Sequence, residues 1–265
     1  MQTNSARTYR IATWNLDRPT KNRISQRGAR LARIAETAAD LWVLTETDRN
    51  LAIDGLRSVT TQRPGDRSYG DEEAYAAIHF DASLKPELLT TFDPCFAVCA
   101  RFPSSPLGPL IVYASIVPYH MEHVIAGGAK VWQRHQESAQ NHGEDWRKLR
   151  RSYPDHTLVV GGDYNQALDG VGRYRNAIST KLLNTAFEGA NLSCRTTENF
   201  VESQALSRHS VDHIAIDISA LTAWDTTANA WEGFDSHGRK LSDHNGVTLT
   251  LTERAETMAV VPDRF

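Results

Sequence analysis

The segment Leu158-Val159-Val160-Gly161-Gly162-Asp163-Tyr164-Asn165 constrains this chain more than any other. Its apolar run reads as a strand buried on both faces, and such strands belong to layered α/β proteins. The Gly-Gly pair is expected to form a flexible turn that delivers a carboxylate and a carboxamide, two residues apart, at the strand's C-terminal end. That edge is where layered α/β proteins meet their ligands, so the placement itself points to chemistry. Three other segments share the design of an apolar strand ending in polar groups. They are Ile11-Ala12-Thr13-Trp14-Asn15-Leu16-Asp17, Leu41-Trp42-Val43-Leu44-Thr45-Glu46 and Leu241-Ser242-Asp243-His244-Asn245-Gly246.

Between these segments the apolar spacing alternates between strand and helix periods. Arg30 to Ala39 is expected to be a helix, with Leu31, Ile34, Ala35 and Ala38 on one face. Asn50 to Asp71 reads as a polar, turn-rich stretch around Pro64-Gly65-Asp66. Strands are expected over Ala74 to Phe80, Phe96 to Phe102 and Leu110 to Val117. A long helix, opened by Gly127-Gly128, is expected from Lys130 to Tyr153. Its apolar stripe includes His135 and His142, which therefore read as packed or hydrogen-bonded residues rather than metal ligands. A loop rich in Gly and Arg follows from Leu168 to Asn176, then a short helix over Lys181 to Ala190. Late strands are expected at Val211 to Ile216 and Val247 to Leu251, followed by a charged tail that frays. Several strand pairs lack an intervening helix, so the pattern predicts an α/β fold of two packed mixed sheets flanked by helices, a four-layer sandwich. No linker separates two domains, and residues 1–265 read as one domain with its core at about 9–252.

Hydrophobic content of 40% and charged content of 23% are ordinary globular proportions, enough for a sizeable core. The net charge of −3 argues against broad, sequence-independent binding to nucleic-acid phosphates. Arg147-Lys148-Leu149-Arg150-Arg151 is the densest basic run, and it reads as the solvated end of a helix. Cys95, Cys99 and Cys194 are odd in number and lack metal-site spacing, so no disulfide partner is expected and a reducing, cytoplasmic compartment fits. No stretch approaches the ~18 apolar residues of a membrane span.

Side chains alternate along the first strand, which puts Thr13, Asn15 and Asp17 on one face. Glu46 ends an apolar strand where an unpaired carboxylate is costly to bury. Taken in order, Trp14-Asn15-Leu16-Asp17, Thr45-Glu46, Gly162-Asp163-Tyr164-Asn165, Val211-Asp212-His213-Ile214 and Ser242-Asp243-His244 resemble the signature of the endonuclease/exonuclease/phosphatase superfamily. The resemblance spans about Ile11 to Leu251. The chain also looks like bacterial members of that group with a Trp-containing helix before the Gly-Asp-x-Asn strand, here Trp132 and Trp146.

The resemblance implies a phosphoester substrate, nucleic acid among the candidates, and a hard divalent cation, Mg²⁺ or Mn²⁺. Glu46 would be the principal metal ligand, with Asn15 or Asp17 and Asp243 nearby, directly or through water. Asp163 would orient or deprotonate the attacking water, and Asn165 would donate to the phosphate. His244 would contact a nonbridging oxygen or act as the acid–base group, with Asp212 holding its ring. Many members carry a Tyr or His on the strand before the long helix, where Ile116 stands here; Tyr119 or His120 could substitute from the following loop. The expected activity is hydrolysis of a phosphodiester by direct water attack. The alternatives are a phosphomonoesterase, a lipid-headgroup phosphodiesterase, and a catalytically silent phosphate-binding member.

Overall fold

Both faces of the first strand, β1 (Thr8–Asn15), are buried, and they are buried against different things. Tyr9 and Ile11 belong to the cluster between two sheets, while Ala12 and Trp14 pack beneath a helix. The same division holds for β2 (Leu41–Asp48), with Leu41 and Val43 inward and Trp42 and Leu44 outward. A period-two strand whose two faces are both apolar has to lie in an inner layer. The protein is described here from a computed structural model over residues 6–63, 70–122 and 129–254. Pro64-Gly65-Asp66, Gly127-Gly128 and the tail beyond Arg254 lie outside the described residues.

The first sheet also contains β3 (Leu56–Thr60), β4 (Glu73–Asp81), β11 (Trp224–Trp231) and β12 (Gly246–Glu253), in the order β11-β12-β1-β2-β4-β3. The second contains β5 (Glu87–Leu89), β6 (Ala97–Phe102), β7 (Leu110–Ile116), β8 (Thr157–Asp163), β9 (Leu192–Cys194) and β10 (Asp212–Asp217). Its order is β5-β6-β7-β8-β10-β9. Each sheet is mixed: β1 and β2 run parallel, as do β7 and β8, and the other pairs are antiparallel. Helix α1 (Arg27–Thr37) covers the first sheet through Ile34. Helices α2 (Gln133–Ser152) and α3 (Ala177–Gly189) cover the second through Trp146, Leu183 and Phe187. The layers are therefore helix, sheet, sheet, helices, the sandwich that the spacing predicts. Among the described residues no helix is long and apolar enough to cross a membrane.

Four expectations need correction. Gly161 and Gly162 form no turn; both lie inside β8, paired to Ile214 and His213. Gly162, at φ 138°, instead lets the backbone of β7 come close: a Cβ there would fall far inside the 3.0 Å limit of the Ser115 carbonyl oxygen. The stretch read as turn-rich contains the edge strand β3, whose residues are only half-buried and so carry no strong apolar signal. Strand β11 was not expected, because its inward positions include only Trp224 and Ala228 as buried apolar residues. Helix α3 begins at Ala177, earlier than expected, because the Asn176 side chain caps it by accepting from the Ile178 and Ser179 amides at 3.0 and 3.1 Å.

The reading of packed histidines agrees with the structure, whereas the basic run is solvated only in part. His135 is fully buried with Nε2 3.0 Å from the Tyr164 carbonyl, and burial pushes its pKa down to about 4. His142 lies between Tyr113 Oη at 2.9 Å and Ser138 Oγ at 3.1 Å. In the basic run, Arg150 pairs with the buried Asp217 at 2.6 Å and Arg147 with Glu144.

Topology sets one end of the inter-sheet core apart. Antiparallel pairing lays the start of β12 beside the end of β1, Thr13 against Val247. It likewise lays the start of β10 beside the end of β8, Asp212 directly opposite Asp163. Asn15 follows the inward face of β1, and Asp163 follows the inward face of β8 after Val159. The aliphatic core therefore ends, at this one edge, in a layer of polar side chains contributed by both sheets.

Candidate active site

The two sheets are joined at that edge by the Asn15 amide, which donates to Asp163 Oδ2 across 3.0 Å. Asp163 is fully buried and held from three directions. Its Oδ1 accepts from the Asn165 backbone amide at 2.8 Å, and its Oδ2 accepts from the Asn165 side chain at 3.0 Å as well as from Asn15. Asn165 reaches back this way because it adopts a left-handed conformation, φ 45°, which asparagine tolerates better than most residues. Its other amide hydrogen goes to the Val117 carbonyl at 3.0 Å. As arranged, Asn165 orients Asp163, and a role as phosphate donor requires it to release one of these bonds.

His244 stands over Asp163 and Asp212. Its Nδ1 is 2.7 Å from Asp212 Oδ2, and its Nε2 is 3.8 Å from Asp163 Oδ2. Burial alone would push the imidazole pKa down; the neighbouring carboxylates reverse that, and the net direction is up. Burial pushes the Asp163 carboxyl up and the imidazolium opposes it, again with a net rise. The neighbouring carboxylates thus favour the charged form of the His244 ring. At 3.8 Å Nε2 lies beyond hydrogen-bond distance of Asp163, and His244 lines the open cleft.

The backbone around His244 is fixed by the first strand. Ser242 Oγ donates to the Asn15 carbonyl at 2.6 Å and accepts from the His244 amide at 3.0 Å. Trp14 Nε1 donates to the His244 carbonyl at 3.1 Å. Arg30 of α1 completes the frame from beneath: it donates to the Leu241 carbonyl at 2.9 Å and to the Arg23 and Asn22 carbonyls at 3.2 Å each. Arg30→Met fills a similar volume but leaves three carbonyls without this donor, so stability is expected to fall by about 2–3 kcal/mol. A urea midpoint unchanged from wild type would show that the guanidinium frames nothing.

Glu46, Asp163, Asn165, Asp243 and His244 line one cleft of about 410 Å³. Glu46 has a left-handed backbone, φ 43°, and its carboxyl pKa is raised, chiefly by burial. His244 and Asn15 offset part of that rise, while Asp243 adds to it. Asp17 stands apart from this group. The chain turns at φ 53°, the Asp17 amide caps Asn15 Oδ1 at 2.8 Å, and the carboxylate is engaged by Arg23 and by Asn22 at 2.8 Å. Tyr119 lines the cleft beside Ile116, whereas His120 bonds through Nδ1 to the Tyr174 hydroxyl at 2.8 Å and packs against Trp132. Residues not anticipated from sequence also line it: Arg18, Tyr75, Phe96 and Glu122. Arg18, one residue beyond Asp17 and bonded to Glu73 at 2.7 Å, was within reach of the motif reading; Tyr75 lies within β4, Phe96 just before β6 and Glu122 in the loop after β7, with no shared sequence pattern.

Asp163, Asp212 and His244 each bring one ligand atom within 4.8 Å of the others, close enough to hold a metal ion. The same fold occurs in solved structures. The endonuclease domain of TRAS1, a telomere-specific non-LTR retrotransposon, is 17% identical and matches 94% of this chain and 100% of its own with a TM-score of 0.62. The human Nocturnin catalytic domain with bound sulfate is 13% identical, with coverage of 93% and 95% and a TM-score of 0.63. Caenorhabditis elegans TDP2, truncated, is 13% identical, with coverage of 92% and 97% and a TM-score of 0.60. This is the fold of the endonuclease/exonuclease/phosphatase superfamily. No family model and no curated protein sequence matches the chain. The edge where strand ends from both sheets meet carries Asn15, Glu46, Asp163, Asp212 and His244.

Proposed function

We propose that the chain is a divalent-metal-dependent phosphoesterase that hydrolyses a phosphodiester by direct attack of water. The observation that carries this reading is the pairing of His244 Nδ1 with Asp212 at 2.7 Å in a cleft that His244 lines together with Glu46 and Asp163. In its charged form the ring is a charge-assisted donor suited to an anionic oxygen. Among the structures sharing the fold, one is an endonuclease domain and one holds a sulfate anion, both in keeping with phosphate chemistry.

Glu46 fits the metal. Its enclosed carboxylate lies beside a second one, Asp243, and a hard cation would offset the cost that burial imposes. Glu46 would hold Mg²⁺ or Mn²⁺, with Asn15 and Asp243 beside it and Asp17 keeping the turn after Asn15 in shape. When bound, the ion would supply positive charge to oxygens on which negative charge gathers during in-line displacement. His244 is a weaker candidate ligand, since an imidazolium has no lone pair to give.

The protein's own groups divide the rest of the work. Asp163, its carboxyl raised toward neutrality, accepts a proton from the attacking water, while Asn15 and Asn165 hold it in position. His244 donates from Nε2 to a phosphate oxygen, and Asp212 fixes the tautomer and stabilises the cation. Tyr119 contacts the substrate from the cleft wall in place of a group at Ile116; His120, tied to Tyr174, supports that wall. A panel of nucleic acids, bis-nitrophenyl phosphate, inositol phosphates and sphingomyelin with Mg²⁺ or Mn²⁺ tests the activity. Turnover confined to phosphomonoesters, or none at all, overturns the reading. Glu46→Gln is expected to keep the fold but weaken Mg²⁺ binding at least about tenfold by calorimetric titration; unchanged affinity would remove Glu46 as the ligand.

A further inference from the structure

A second cavity, of about 580 Å³, adjoins the catalytic cleft and shares Asn165, Asp243 and His244 with it. The two differ in charge. Glu46 and Asp163 line only the first, whereas Arg173 and Arg208 line only the second. Neither guanidinium is paired with a carboxylate among the described residues. Arg208 donates to the Asp243 backbone carbonyl, which leaves its charge uncompensated. Among the described residues the single carboxylate lining this cavity is Asp243, which also lines the first.

The cavity is a built feature. Arg173 lies on the Gly- and Arg-rich loop after β8, and Arg208 lies on the loop before β10. Asp169 ties the two together: it accepts from the Val171 and Gly172 amides at 3.1 and 2.8 Å and bonds His209 Nδ1. Gly172 lets the loops touch, since a Cβ there would crowd Ala167 and lie 3.1 Å from the His209 side chain. The Tyr174 carbonyl accepts from the Ala167 amide at 2.8 Å, closing the loop base, and the Tyr174 hydroxyl is held by His120.

We infer that this arginine-lined cavity holds a second phosphate group of the substrate, next to the scissile one on the side of His244 away from Glu46. The inference rests on the phosphoesterase reading, and it narrows the substrate to molecules carrying at least two neighbouring phosphates. Two sources share this chemistry, a nucleic-acid strand and a small bisphosphorylated molecule. Arginine suits the role because its fork matches phosphate oxygens and keeps its charge at any physiological pH. A net charge of −3 with two unpaired arginines at the cleft suits local recognition rather than broad phosphate binding.

The test compares a dinucleoside monophosphate with the same compound bearing a terminal phosphate. The phosphorylated form is expected to show a kcat/KM about 10- to 100-fold higher, mostly through KM, as charge-assisted bonds to one phosphate allow. Arg173→Gln, an exposed position, and Arg208→Gln should each shrink that ratio toward one. A longer single strand and an inositol bisphosphate diester, assayed alongside, identify which source is preferred. A ratio near one in the wild type, or a preference that survives both arginine variants, overturns the inference while leaving the phosphoesterase reading intact. If no substrate turns over, that reading fails separately, and calorimetry with a nucleoside 3′,5′-bisphosphate against a 3′-monophosphate decides the cavity. Tighter bisphosphate binding that Arg173→Gln abolishes supports it; equal binding overturns it.

Discussion

Asp163→Asn is expected to lower kcat by about 10²–10⁴, the range typical of a lost general base, with little change in KM. The size follows from how the carboxylate is held. Three donors converge on it: the Asn15 side chain, the Asn165 side chain and the Asn165 backbone amide. An asparagine offers one acceptor oxygen where the aspartate offers two, so its own amide must face at least one of these donors. The variant therefore loses the proton acceptor and disturbs the orientation of Asn165 together. It also removes one of the three carboxylates, Asp163, Asp212 and Asp243, that raise the His244 pKa, weakening the cation proposed to meet the phosphate. Activity should be measured with Mg²⁺ saturating, so that a change in metal affinity does not masquerade as a change in chemistry. A kcat within tenfold of wild type on a confirmed substrate would take Asp163 out of the catalytic step.

Gly162→Ala is expected to cost roughly 3–5 kcal/mol of stability, combining backbone strain with overpacking. A Cβ at 162 would meet the Ser115 carbonyl oxygen, carbon and amide nitrogen, all backbone and none able to swing aside. The φ of 138° is also one that an alanine rarely adopts. Gly161→Ala is the control. There the nearest atoms lie at 3.5 Å or more, ordinary van der Waals contact with the His213 carbonyl and the Val43 side chain. Urea unfolding of the two variants should separate them by several kcal/mol, and equal midpoints would show that β7 and β8 are not pressed together at this point.

That glycine pair also shows where sequence reasoning stops. Gly-Gly is a strong punctuation signal, and nothing local distinguishes a turn from a strand whose neighbour comes unusually close. The chemistry-bearing residues were legible because each follows a run of aliphatic residues: Asn15 after Ile11 and Ala12, Glu46 after Val43 and Leu44, Asp163 after Val159 and Val160. A buried strand ending in an acid is costly enough to stand out. Asp17 followed the same pattern but turned aside, since its alternation ended with the strand at Asn15 and the next residues adopt left-handed conformations. Strands β3 and β11 lie at sheet edges with mixed Thr, Ser and Ala faces, and edge strands show little periodicity. Arg173 and Arg208 are 35 residues apart by their numbers and meet only because Asp169 and His209 join their loops. A basic loop alone carries no such information.

The pairing of β1 with β12 has a consequence for how this protein comes into being on the ribosome. Strand β1 lies in the interior of its sheet, yet one of its two neighbours is among the last segments of the described chain to be made. Ser242 and Asn15, bonded through hydroxyl and carbonyl, are separated by 227 residues. Contacts of such range close late, because the entropy of joining distant segments must be met before they contribute anything. The nascent chain therefore carries an open sheet edge at β1 until β12 pairs with it. Chains stalled before β12 would leave that edge of β1 unpaired and exposed to aggregation.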